Sequence, residues 1–117
     1  MIKYLFKSKQ RKFWIINNKG QYQIDFDRLV PDYIQFDVWL LYRFIKKRFK
    51  TKIVKKIRSA AEVLWILNVN GQSISIYQDW TGVNIIADDL SGEDVLLQII
   101  DEFRSSNKFI EQKQQVI

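Results

Sequence analysis

The sequence predicts an α+β domain: an antiparallel sheet of about four to six strands, packed on one face by two helices. Three observations carry this. Alternating or β-branched runs recur between turn signals in both halves of the chain. Two stretches, one opening at Asp37 and one at Ser91, place apolar residues at helical spacing. Apolar residues make up 47% of the chain, enough to line one sheet face and one stripe per helix. The 117 residues read as a single domain without repeat, linker or low-complexity tract.

The elements follow in order. Residues 2–7 have strand-like content and suit a short edge strand. Phe13 to Ile16 is an aromatic and β-branched run, and Asn17-Asn18-Lys19-Gly20 reads as a turn. Gln21 to Phe26 then alternates, with Tyr22, Ile24 and Phe26 on one side, which completes a hairpin. Pro31 and Asp32 suit a short turn of helix. A helix is predicted over 37–50, with Asp37 at the positive end of its dipole. Val38, Leu41, Tyr42, Ile45 and Phe49 form its stripe, which Trp39, Leu40 and Phe44 widen. Residues 51–58 suit either helix or strand, and their β-branched content leans to a strand.

The second half is a predicted meander. Glu62 to Val69 is a strand, and Asn70-Gly71 is a two-residue hairpin turn because both residues tolerate positive φ. Gln72 to Tyr77 returns with Ile74 and Ile76 inward and Ser73 and Ser75 toward water. Asp79-Trp80-Thr81-Gly82 turns the chain into a third strand, Val83 to Ala87. Ser91 is the expected N-cap of the last helix, with Asp94 completing a capping-box pattern. Leu96, Ile99, Ile100 and Phe103 are its buried stripe. Residues 105–117 lose periodicity and read as a frayed tail. The predicted core comprises Trp39, Leu41, Ile45, Phe49, Trp65, Leu67, Ile74, Ile76, Ile85, Leu96, Ile100 and Phe103.

Two missing residue types narrow the chemistry. Without cysteine there is no disulfide, thiolate metal site or thiol nucleophile. Without histidine there is no imidazole to shuttle protons near neutral pH or to bind a transition metal. Only a carboxylate, Lys or Tyr mechanism is left, so neither catalysis nor a cofactor is expected. The first residues do not form a secretory signal, because Lys7 interrupts the apolar run. The longest uncharged run, Val63 to Gln78, carries Asn68, Asn70 and Gln72 and is too polar to span a membrane. A cytoplasmic location is expected.

The net charge of +6 divides into +12 over residues 1–58 and −6 over residues 59–117. Nine cations fall in the sixteen residues from Arg43 to Arg58, with no acid among them. A solvated amphipathic face explains such a run; so does a surface for an acidic protein, nucleic acid or anionic membrane. Arg43, Lys46, Lys47 and Lys50, opposite the apolar stripe, are candidate partner contacts. Tyr42, Phe44 and Phe49 interleave with them as base stacking requires, but helical spacing turns Tyr42 and Phe49 toward the core. Asp79 and Trp80 are further candidates, since a Trp at a hairpin bend either anchors a partner or folds back on the sheet. The acidic string from Asp88 to Asp94 could hold a hard cation, but it lacks calcium-loop spacing and suits a helix N-terminus. Pro31-Asp32 and Glu111-Gln112-Lys113 match the letters of a metal-dependent nuclease pattern, the second in a stretch without strand signal.

From Val63 to Phe103 the order is strand, Asn70-Gly71 turn, strand, Asp79-Trp80-Thr81-Gly82 turn, strand, helix. This run, about a third of the chain, resembles small α+β immunity proteins of bacterial toxin systems, including contact-dependent growth inhibition. The resemblance implies a non-catalytic, cytoplasmic inhibitor that binds a cognate toxin domain. Charge alone implies the alternative, a nucleic-acid-binding protein using residues 43–58.

Overall fold

Asn17 and Asn68 each open a turn that ends in glycine. Their side-chain oxygens accept from the Gly20 and Gly71 N–H groups, each at 2.9 Å. The central residues take the left-handed conformation these tight turns require: φ is 55° at Lys19 and 86° at Gly20, then 51° at Asn70 and 87° at Gly71. Both turns close antiparallel hairpins. The computed structural model describes residues 10–27 and 34–113; the expected strand over 2–7 and the turn at Pro31 lie outside them.

The elements are β1 (Arg11–Asn18), β2 (Gln21–Phe26), α1 (Ile34–Lys46), β3 (Thr51–Arg58), β4 (Val63–Val69), β5 (Gln72–Asp79), β6 (Gly82–Ala87), α2 (Glu93–Ser105) and β7 (Phe109–Glu111). Among the described residues the strands form one seven-stranded sheet in the order β3-β4-β5-β6-β2-β1-β7. Every neighbouring pair is antiparallel except β1 and β7. The sheet is therefore mixed and has one strand more than the upper expectation. The extra strand comes from the stretch read as a tail: Phe109 buries its ring and pairs beside Arg11. Residues 51–58 are a strand, with a bulge between Ile53 and Lys55.

Both helices pack on one sheet face, α1 over β3–β5 and α2 over β2, β6 and β7. They meet where Phe44 stacks on Phe103, with centroids 4.2 Å apart and planes 9° apart. Phe103 also touches Phe13, Phe26 and Phe109, so one aromatic cluster ties α1, α2 and three strands together. Most of the predicted core is buried, but Trp39 is 37% exposed and Phe49 packs only at the margin. The α1 stripe runs through Val38, Leu41 and Ile45, all fully buried. Trp39 lies one residue off it, under the Arg43 guanidinium.

Three local expectations are corrected. Helix α1 spans 34–46 rather than 37–50, so Asp37 lies inside its first turns, fully buried and accepting from Gln78 Nε2 at 2.9 Å. Ser91 does not cap α2: Asp89 caps a 3-10 turn over Leu90–Gly92, and α2 begins at Glu93 with Gly92 as its N-cap. Ser75 faces away from the helices yet is buried, and it donates to Asp88 Oδ1 at 2.6 Å.

Candidate functional site

A strand sends alternate side chains to opposite faces, so the residues that do not meet the helices share the other sheet face. The pairing register aligns them in two rows. One runs Ile57, Leu64, Tyr77, Asn84, Asp25, Trp14; the other runs Lys55, Ile66, Ser75, Ile86, Gln23, Ile16. None of the described helices packs against this face. Half-buried apolar side chains flank its mostly polar middle, Leu64 and Ile66 on β4 and Trp14 and Ile16 on β1, with Ile86 between them on β6.

At one end of the face lies an open cavity of about 780 Å³, lined in part by Trp14, Asp25, Asp27, Tyr77, Asp79 and Asn84. Three carboxylates thus meet the rings of Trp14 and Tyr77, and Lys113 is the one cation among the described residues that line the cavity. Asp79 is fixed by the turn it begins. It accepts from the Thr81 N–H at 2.8 Å, the Gly82 N–H at 3.3 Å and the Thr81 hydroxyl at 2.5 Å. The Thr81 hydroxyl is the main reason its pKa is lowered, and the Thr81 and Gly82 N–H groups add to that against partial desolvation. Asp79 therefore stays charged at neutral pH. Tyr77 is raised, first by desolvation and then by its hydrogen bond to Glu62, so its phenol keeps its proton. Trp80, beside this cavity in sequence, is 72% exposed: the tryptophan at the bend does not fold back onto the sheet.

The six candidate contacts read from the sequence do not converge. Asp79 belongs to the open-face cavity and Trp80 to its turn. Arg43 and Lys47 lie on the helix side, lining a smaller cavity of about 270 Å³ with Arg11, Arg48, Lys108 and the rings of Phe44 and Phe109. Lys46 sits over the Tyr42 ring at 5.7 Å, and Lys50 is exposed where α1 leads into β3. The rest of the basic run, Lys52, Lys55, Lys56 and Arg58, occupies edge strand β3. Lysines there hinder edge-to-edge pairing, which accounts for part of the charge without a ligand. Phe44 is buried, and Tyr42 and Phe49 pack against the core.

The acidic string is structural: Asp88 accepts from the Ser73 and Ser75 hydroxyls, and Asp89 holds the 3-10 turn. Glu111 does lie in a strand, contrary to the expectation, but Arg104 engages it through two hydrogen bonds of 2.7 and 3.0 Å. Asp32 lies outside the described residues. Among those residues no group of three or more acidic side chains could hold a metal ion.

Sequence reasoning missed Trp14, Asp25 and Asp27 as site residues, and Arg11 and Lys108 as partners of Arg43. A signal existed for Trp14. Phe13 to Ile16 is apolar on both strand faces, and only one can meet the helices. Nothing local pairs Arg11 with Lys108, which β7 brings together from opposite ends of the chain. No described helix is long and apolar enough to cross a membrane. Comparisons with protein-family models, curated proteins and solved structures give no match.

Proposed function

We propose that this chain is a non-catalytic protein-binding module of the immunity type. It acts in the cytoplasm by capturing a basic segment of its cognate toxin domain against the sheet face that no described helix packs on. The observation that carries this is the adjacency, on that face, of half-buried apolar side chains, the carboxylates Asp25, Asp27 and Asp79, and the exposed Trp80 turn. Half-buried apolar side chains on a face that no described helix packs against suit a partner's contact. Tryptophan anchors and a charged rim are what protein interfaces use for affinity and orientation. The acidic rim selects a basic partner, such as a toxin domain that acts on nucleic acid. The order β4–β5–β6–α2 realises the strand and helix succession on which the resemblance to immunity proteins rests. Tyr42, Phe44 and Phe49, the rings interleaved with the cations and the ones base stacking would call on, are here committed to packing.

The test is co-expression with any toxin domain that a neighbouring gene is found to encode. The native protein should protect cells and co-purify with the toxin. Trp80→Ala should weaken the complex by about 2 kcal/mol or more, as hot-spot truncations do. Asp25→Lys should abolish protection, while Lys52→Gln on the far edge strand leaves it intact. Full protection by both Trp80→Ala and Asp25→Lys would remove this face from the proposal.

A further inference from the structure

The helix-side cavity gathers five cations from separate parts of the chain: Arg11 from β1, Arg43, Lys47 and Arg48 from α1 and the turn after it, and Lys108 from the turn before β7. Among the described residues no acidic side chain lines it. Among the described residues, Arg48 alone of the five has a salt bridge, to Glu102 at 3.4 Å. Arg48 also donates to the Phe44 carbonyl at 3.1 Å and lies 3.6 Å over the Phe44 ring, so its guanidinium is held in place. The Arg11 Nη1 nitrogen is buried and has no hydrogen-bond partner. An N–H group desolvated without an acceptor costs about 1–3 kcal/mol, and a charged one more. That cost, together with five like charges gathered in one concave site, points to an anion whose charge would offset both.

We infer that this cavity binds the phosphate groups of a small phosphorylated organic molecule, of the class of a nucleoside diphosphate. Guanidinium forks match phosphate oxygens in pairs, and two lysines add point charges. Half-buried Leu40, beside the buried rings of Phe44 and Phe109, supplies apolar lining for the organic part. The volume of about 270 Å³ suits a compact anion better than a polymer, whose backbone needs a continuing groove.

Calorimetric titration with ADP, inorganic pyrophosphate and a short single-stranded oligonucleotide at low salt tests the assignment. ADP should bind more tightly than pyrophosphate, because only ADP uses the apolar lining, and both more tightly than the oligonucleotide. Arg11→Gln and Lys47→Gln should each weaken ADP binding about tenfold, about 1.4 kcal/mol. Exposed Lys108→Gln should do so in the same direction and guards against a folding defect at Arg11. Lys52→Gln should leave binding unchanged. Absence of ADP binding at millimolar concentration, pyrophosphate binding as tightly as ADP, preference for the oligonucleotide, or equal loss in Lys52→Gln would each overturn the inference.

Discussion

Gln78 puts an amide where its strand calls for an apolar side chain, and the reason is Asp37. Both are fully buried, and the Gln78 amide donates to the Asp37 carboxylate across the α1–β5 contact. A buried carboxylate is tolerable only when hydrogen-bonded, so this pair fixes where α1 rests on the sheet. Gln78→Leu should therefore destabilise the fold by about 1–3 kcal/mol although it adds apolar surface. A urea melt should show a lower midpoint at unchanged slope. Equal stability of the variant would mean that Asp37 needs no donor from β5. The sequence hides this pair because its members lie 41 positions apart, and because Asp37 alone is indistinguishable from a helix-dipole acid. By contrast, Asn70-Gly71 is legible from two letters, since the positive φ it needs is a property of those residues themselves.

At the scale of elements, β7 shows what pattern reading cannot reach. Three residues carry no periodicity, and the stability of β7 comes from β1 at the other end of the chain. The Arg104–Glu111 pair ties β7 to α2, through two near-parallel hydrogen bonds. The hydrogen bond from Arg104 is the main reason the Glu111 pKa lies below its usual value of 4.5. A lowered acid stabilises the fold fully above the unfolded pKa and loses that contribution as pH falls through the folded one. Glu111→Gln should thus cost about 1 kcal/mol at neutral pH, the pair being partly exposed. The difference from the native chain should begin to shrink as pH drops below about 4.5 and vanish at stronger acidity. Paired urea melts at neutral and acid pH measure it, and a pH-independent difference would assign the effect to packing. Gly82 is a second element-scale constraint. A Cβ there would stand 2.9 Å from the Phe26 carbonyl, so Gly82→Ala must push β6 from β2. Its expected cost is about 1–3 kcal/mol, read as a lower melting temperature, and an unchanged melt would show that the strands part freely.

For the whole molecule, the decisive feature is how charge is distributed between two sides of one sheet. The net charge is +6, yet the face that no described helix packs against gathers Asp25, Asp27 and Asp79 at one end, with Lys113 beside them and Lys55 at the far edge, while Arg11, Arg43, Lys47, Arg48 and Lys108 crowd the helix side. The sequence shows the charge imbalance but not its separation, because strand parity and the β1–β7 pairing, rather than chain position, decide which side a residue faces. A basic partner approaching from afar meets net repulsion, and only within about a Debye length, roughly 10 Å at 0.1 M salt, does the acidic groove dominate. Neutralising the helix side by the double substitution Arg43→Gln and Lys47→Gln should then speed association severalfold. Dissociation should not change, since neither residue touches the proposed interface. The gain should be largest at low salt and disappear when salt is raised. Stopped-flow association with the partner reads this directly, and the sign decides. Slower association in the double variant would mean that the partner is acidic and docks on the helix side. The sheet face would then be free for another role.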